Sequence, residues 1–180
     1  NLVQLIFMIP LGTSYAASAF TGYFLGQMKI DKAKKYSRLT ILLNVLATIV
    51  IIILLLAFHD QVAALFTSDP GTVEVVNKVL YMMTLYVFFD TIHGVQTGII
   101  RGLGLQVIGS IYTLIVQYLI GLPLVLTFAF AMDMGVVGLW LGFSLACIIL
   151  DAGYLVICEC PDWHQISIKM QATIDKDKQR

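Results

Sequence analysis

The sequence predicts an all-α integral membrane protein with five transmembrane helices. Of its 180 residues, 59% are hydrophobic and 12% are charged, whereas soluble domains carry roughly 45–50% apolar and about 25% charged residues. Long uncharged runs separate the charges, and a spanning helix needs about 20 mostly apolar residues. The basic residues fall almost entirely on one side of these runs, as the positive-inside rule requires. A set of buried core helices in a large soluble protein is the alternative, and the length of the runs disfavours it.

The five predicted spans cover residues 1–28, 39–58, 76–100, 106–132 and 135–158. The second contains an unbroken apolar run from Ile49 to Ala57, whereas the third and fifth each carry one carboxylate, Asp90 and Asp151. We therefore expect residues 1–158 to form a transmembrane helical bundle. Residues 159–180 are predicted to be a polar cytoplasmic tail, with Trp163 near the headgroups.

The distribution of Lys and Arg sets the expected orientation. Ten of the eleven lie on one side of the predicted spans, in the loop at 29–38, at Arg101 and in the tail, and only Lys78 lies opposite. We assign the richer side to the cytoplasm, so that the chain starts outside and its C-terminus is cytoplasmic.

Turn residues and small residues predict local features of these spans. Residues 60–67 are expected to form a short amphipathic helix at the interface, followed by a turn at 68–71. Pro10 and Pro123 lie inside spans and each removes a backbone hydrogen bond. Small residues four apart favour close helix packing in lipid. Three such pairs are Gly22 with Gly26, Gly94 with Gly98, and Gly138 with Gly142.

Several classes of function are disfavoured. A formal net charge of zero argues against binding to nucleic acid, and three cysteines do not make a disulfide framework. No Walker-type lysine motif, zinc-ligand spacing or catalytic triad is evident, so we expect no enzyme, no metal and no organic cofactor. The chain begins at Asn1 without a basic region, so we expect no signal or transit peptide and a fragment that starts in or just before a membrane helix.

Asp90 is the strongest candidate for function because it lies halfway along the third span. A charge there costs about 3 kcal/mol on insertion scales, so it needs a partner, a water-filled cavity or protonation. A carboxylate that loads and unloads a proton or cation is what an ion-coupled transporter requires. A hydrogen-bonded packing carboxylate is the structural alternative.

Other polar residues are expected to line a cavity with Asp90. Tyr86, His93 and Thr97 follow 4-3-4 spacing with it and share one helix face. His93 either relays protons or donates to a backbone carbonyl and stays neutral. The remaining candidates are Gln117 and Tyr118 in the fourth span and Asp151 in the fifth. Asp151 lies in the cytoplasmic half of its span, where water is expected to reach it. Asn44 of the second span is a further candidate, although a position at the membrane interface is favoured for it.

Five sequence blocks, taken in order, resemble motifs of the multidrug and toxin extrusion (MATE) family. They are residues 8–26, beginning Met8-Ile9-Pro10-Leu11-Gly12, residues 65–69, Phe88-Phe89-Asp90 with Arg101-Gly102-Leu103-Gly104, Tyr118 to Leu124, and Gly138-Leu139-Trp140-Leu141-Gly142. The order and spacing extend over residues 8–163. Asp151 stands where the family often has Gln.

The resemblance implies helices eight to twelve of a twelve-helix, two-lobe transporter of the MOP superfamily. It also implies export of organic cations, xenobiotics or metabolites in exchange for H⁺ or Na⁺, with Asp90 as the embedded acid. Expected partners are a small organic cation or metabolite, the bilayer of a plasma, vacuolar or other organellar membrane, and an N-terminal lobe. The alternatives are a flippase for lipid-linked precursors and a non-transporting membrane scaffold. We expect these five helices alone not to transport.

Overall fold

The computed structural model describes residues 2–64 and 70–178, and every regular element in these ranges is a helix. The helices are α1 (Leu2–Gly26), α2 (Ile30–Ala57), α3 (His59–Ala64), α4 (Pro70–Gly102), α5 (Gln106–Ala131), α6 (Gly135–Glu159) and α7 (Trp163–Lys178). The predicted all-helical class is confirmed. Within the described ranges, three helices, α2, α5 and α6, are long and apolar enough to cross a membrane.

The basic segment at 29–38 is not a loop. Helix α2 begins at Ile30, and a turn at Met28, whose φ is 57°, joins it to α1. Lys and Arg are good helix formers, and Asp31 in the first turn favours a helix N-terminus. A helix with these residues therefore continues beyond the apolar run into the aqueous interface, which hydropathy alone does not reveal.

Helix α4 begins at Pro70, a residue type favoured at the first helical position because its missing N–H needs no partner there. Of the predicted turn at 68–71, Ser68 and Asp69 lie outside the described residues. The same holds for the motif at 65–69. Of the predicted interfacial helix at 60–67, the structure describes the part that belongs to α3.

Helix α5 is irregular on both sides of Pro123. Its α-helical hydrogen bonding gives way to the wider π pattern at Val116–Gly121 and again at Thr127–Ala131. A proline inside a helix lacks an N–H and its ring displaces the carbonyl four residues earlier, and π turns are one way a helix absorbs such an interruption.

Small residues let α1 and α4 approach closely. A Cβ atom added at Gly98 would overlap the backbone oxygen of Ser14, and one at Gly102 would lie 2.7 Å from the backbone oxygen of Ser18. Gly22 lies opposite Gly102 in the same contact. On the other side of the bundle, Gly138 and Gly142 pack against the backbone of α5. The glycines of the predicted pairs at 94–98 and 138–142 thus lie where helices touch.

The distribution of polarity in α2 is the reverse of that in a soluble helix. Its buried residues are Ala33, Ser37, Thr40, Asn44, Thr48 and Leu55. Large apolar side chains, including Leu42, Leu46 and Ile53, point outward and are more than half exposed. Small and polar residues inside with bulky apolar residues outside are typical of helices that pack in lipid.

The segment after α6 packs against the bundle instead of extending from it. Trp163 is buried, and its Nε1 donates to the carbonyl of Cys158 at 2.9 Å. Ser167, also buried, donates to the carbonyl of Leu25 at 2.6 Å. The last carbonyls of a helix have no partner within it. Helix α7 supplies partners to the ends of both α6 and α1, so the first half of the predicted polar tail is a helix that packs against the bundle.

Candidate functional site

Asp90 lies on the face of α4 that packs against α6. Its Oδ1 accepts a hydrogen bond from the hydroxyl of Tyr86 at 3.1 Å, and its side chain is half-buried. The ring of Tyr86 makes edge-on contacts with two aromatic residues of α6, Trp140 at 5.5 Å and Phe143 at 6.2 Å between ring centroids. The carboxylate is therefore held in an aromatic environment between two helices.

Asp151 belongs to α6 and faces α4 at His93, about one helical turn beyond Asp90. Its Oδ1 lies 3.7 Å from Nδ1 of His93. Only 8% of the Asp151 side chain is exposed, contrary to the expectation that water reaches it, because α4 covers this part of α6. Asp90 and His93, the neighbour of Asp151, are three residues apart on one face of α4.

Two further side chains of α4 contact this pair. The hydroxyl of Thr97 donates to the backbone carbonyl of His93 at 3.0 Å and lies 3.5 Å from its Nε2. Nε2 of Gln96 lies 3.4 Å from the backbone oxygen of Asp151. Sequence reasoning missed Gln96, although an amide six residues after Asp90 in a predicted span was a usable signal.

Asn44 is a core residue of the helical bundle. Its side chain is fully buried, donates to the backbone carbonyl of Thr91 at 3.0 Å and accepts a bond from Thr13 at 3.0 Å. Thr48 donates to the hydroxyl of Thr91 at 3.0 Å. Helix α2 begins nine residues earlier than the predicted span, at Ile30 instead of 39, which places Asn44 in the middle of the helix.

Gln117 and Tyr118 lie at a different place from Asp90. They line a pocket of about 370 Å³ on the side of α5, together with Thr113, Leu114 and Phe143 among others. Tyr118 is 65% exposed. The lining residues do not include Asp90, and Phe143, whose ring touches Tyr86, is the link between the two regions.

The chemistry of this arrangement suits a cation. The outward-facing side chains of α2 are apolar, whereas Asp151 is buried and Asp90 is half-buried between α4 and α6. An ionisable group inside a membrane bundle is costly unless it is paired with another polar group or faces water. Such acids between helices of a membrane bundle are typical of proteins that move ions or substrates across the bilayer. The fold and the site together define the class of membrane transporters.

The chain belongs to the MatE family of transporters, because residues 1–127 match that family model. It is 33% identical over 157 residues to Multidrug and toxin extrusion protein 1 of Danio rerio, an alignment that covers 87% of this chain and 26% of that protein. It is 35% identical over 148 residues to the protein of the same name from Oryctolagus cuniculus, covering 82% and 26%. The chain thus spans about a quarter of the length of these relatives.

Two solved structures share the fold. The crystal structure of the eukaryotic MATE transporter AtDTX14 superposes with a TM-score of 0.89 at 24% identity, covering 96% of this chain and 38% of that one. An inward-facing multidrug resistance MATE family transporter of the MOP superfamily gives a TM-score of 0.76 at 18% identity, covering 95% and 38%. The resemblance recognised in the sequence motifs is confirmed.

Proposed function

We propose that this chain forms the C-terminal-lobe part of a secondary active antiporter. The protein would export organic cations, xenobiotics or metabolites in exchange for H⁺ or Na⁺, with Asp90 as its ion-coupling and substrate-binding residue. The observation that carries the proposal is the half-buried Asp90 carboxylate beside Tyr86, which packs on Trp140 and Phe143. A carboxylate next to aromatic rings attracts an organic cation through charge and through cation–π contact.

Exchange follows when two cations compete for one carboxylate. A coupling ion at Asp90 neutralises it in one facing of the transporter, and the organic cation does so in the other. Each ligand shifts the population toward the facing to which it binds more tightly. A site between packed helices near mid-membrane suits such alternating access. The N-terminal lobe is the proposed second wall of the cavity.

We also propose five membrane spans with the C-terminus in the cytoplasm of a plasma or organellar membrane. Support comes from the basic N-terminal turns of α2, which meet the end of α6 and the start of α7. Arg38 pairs with Glu159 at 2.9 Å, and the ammonium of Lys34 lies 5.6 Å from the ring of Trp163. One end of the bundle thereby collects most of the positive charge.

Cys160 offers a test of this orientation, because it is exposed at that end whereas Cys147 and Cys158 are buried. In the full-length protein with its remaining cysteines replaced, an impermeant thiol reagent should label Cys160 in inverted vesicles and not in intact cells. Labelling in intact cells would refute the proposed orientation.

The function is tested by uptake of a fluorescent organic cation into inverted vesicles under an imposed proton gradient. The full-length protein should accumulate the cation, and its Asp90→Asn variant should fall to the rate of empty vesicles. The matched control is Asp133→Asn, since Asp133 is exposed between α5 and α6 and its φ of 53° is one that Asn also tolerates. Transport by a folded Asp90→Asn variant at the parental rate would refute the role of Asp90.

A further inference from the structure

A second group of buried polar atoms lies at the contact of α4 and α6, apart from the Asp90–Tyr86 hydrogen bond. Nδ1 of His93, Oε1 of Gln96 and both carboxylate oxygens of Asp151 have no hydrogen-bond partner among the described residues. Asp151 is 6% exposed and Gln96 is 1% exposed. A buried polar group without a partner costs about 1–3 kcal/mol, and a charged one costs more. Two of these atoms, Nδ1 of His93 and Oδ1 of Asp151, face each other at 3.7 Å, so one hydrogen between them would satisfy both.

The contacts of Thr97 favour a proton on Nε2 of His93 rather than on Nδ1. Thr97 uses its own hydroxyl hydrogen toward the backbone carbonyl of His93, so its oxygen is available to Nε2 only as an acceptor. The neutral imidazole then carries its hydrogen on Nε2, and Nδ1 presents a lone pair. That lone pair lies 3.7 Å from Oδ1 of Asp151. An ionised Asp151 would bring two acceptors together with no hydrogen between them.

We infer that His93 and Asp151 share one proton and form a second proton-binding site, distinct from Asp90, a conclusion that rests on the proposed antiport. The proton comes from water and resides either on the Asp151 carboxyl, which then donates to Nδ1, or on Nδ1, which then donates to the carboxylate. In both forms the pair is neutral overall and the contact becomes a hydrogen bond. Loss of the proton leaves one buried negative charge.

The ligand set favours a proton over a sodium ion. Hard cations prefer carboxylate, carbonyl and water oxygens, whereas imidazole nitrogen suits transition metals. Here the atom that faces the carboxylate is an imidazole nitrogen. The ring of His93 also packs edge-on against Tyr154 with centroids 4.6 Å apart, which limits its rotation away from Asp151.

The other titratable groups around the pair are few in the described part of the chain. Asp90 and Tyr86 lie on α4, Cys147 and Tyr154 lie on α6, and Tyr112 of α5 packs against Tyr154 with ring centroids 5.9 Å apart. The hydroxyl of Tyr154 is engaged by Thr113 at 2.7 Å and by the carbonyl of Gly109 at 3.1 Å. Asp90 is the one acid among them that pairs with an organic cation in the proposed function.

The proximity of the two acids links the two sites. Asp90 lies one helical turn from His93 on the face of α4 that meets Asp151, and a negative Asp90 there favours a neutral pair over a negatively charged one because like charges repel. An organic cation that binds Asp90 removes this effect and favours release of the proton. By reciprocity, a proton on the pair weakens the cation at Asp90. The proton on this pair and the organic cation at Asp90 then weaken each other without occupying the same atoms, in addition to the direct competition of coupling ion and cation for Asp90.

The test is pH-dependent infrared difference spectroscopy on the purified full-length protein. Carboxyl and imidazole bands report the shared proton wherever it resides. We expect the parent and the Asp90→Asn variant to show a titration step in which both bands change. The Asp151→Asn and His93→Gln variants should lose this coupled step, and Asp133→Asn should retain it.

Two results would overturn the inference. One is retention of the coupled titration step in Asp151→Asn or in His93→Gln. Either variant alone is decisive, so the test still works if one of the two does not fold. The second is a spectral change of the parent when sodium chloride replaces potassium chloride at constant pH, if that change is absent from the Asp151→Asn variant, since this would make the site a sodium site. Because the spectra require no transport, failure of this inference can be distinguished from failure of the proposed function in the uptake assay on Asp90→Asn.

Discussion

Gly98 is the position at which the packing of α1 on α4 is most directly testable. An added methyl group at Gly98 would overlap backbone and side-chain atoms of Ser14. The backbone oxygen cannot rotate away, so the Gly98→Ala variant must separate the two helices. Added volume in a packed contact costs typically about 1–3 kcal/mol.

A second effect opposes this cost and must be removed by a control. Replacing Gly by Ala inside a helix stabilises it by roughly 0.5–1 kcal/mol. Gly12 of α1 provides the matched substitution, because an added Cβ there meets no atom within 4 Å. Since the helix-propensity gain is common to both variants, their difference isolates the steric cost, and we expect Gly98→Ala to be less stable than Gly12→Ala by about 1–3 kcal/mol.

The measurement is the free energy of unfolding of the full-length protein, titrated with dodecyl sulfate in mixed micelles under reversible conditions. Comparison of the two variants in the same lipid and detergent removes effects of the medium. A difference smaller than about 0.5 kcal/mol, the usual scatter of substitutions that touch nothing, would refute the close contact between α1 and α4.

Two further substitutions test single hydrogen bonds in the bundle by the same unfolding measurement. Asn44→Ala removes the bonds to Thr13 and Thr91, and because bonds between membrane helices contribute about 0.6 kcal/mol on average and up to about 1.7, we expect a loss of about 1–3 kcal/mol. Trp163→Phe keeps an aromatic ring but leaves the carbonyl of Cys158 without its donor, so we expect a loss of about 1–3 kcal/mol.

Each of these expectations has a contrary outcome. An Asn44→Ala variant as stable as the parent would mean that Asn44 does not bridge α2 to its neighbours. Equal stability of Trp163→Phe and the parent would mean that the hydrogen bond from Trp163 to Cys158 does not stabilise the packing of α7. Leu42→Ala, on the outer face of α2, is the control for loss of side-chain volume without loss of a buried polar contact.

The helical class was predictable because lipid leaves the backbone few choices. Every N–H and C=O in the bilayer must be paired within the protein, so an apolar run of sufficient length becomes a helix. The start of α2 was not predictable in the same way, because hydropathy detects where an apolar run begins and not where a helix begins. Lys32, Lys34 and Arg38 belong to α2 although they lie outside its apolar run.

The residues that share a helix face with Asp90 were also predictable from the sequence. Tyr86, His93 and Thr97 lie on the same helix as Asp90, and helical geometry alone places residues three and four apart side by side. The hydrogen bonds of Tyr86 to Asp90 and of Thr97 to the carbonyl of His93 are of this local kind.

The sequence by itself thus determined the helical class, the family and the residues that share a face of α4. Only the tertiary structure decided that Asp151 faces His93, that Asn44 bridges helices in the core and that Trp163, the first residue of α7, is buried. The physical reason is the distance along the chain over which each sequence signal acts. Hydropathy and helical periodicity act between neighbours in the chain, whereas these contacts join residues 47 to 58 positions apart or depend on how one helix covers another.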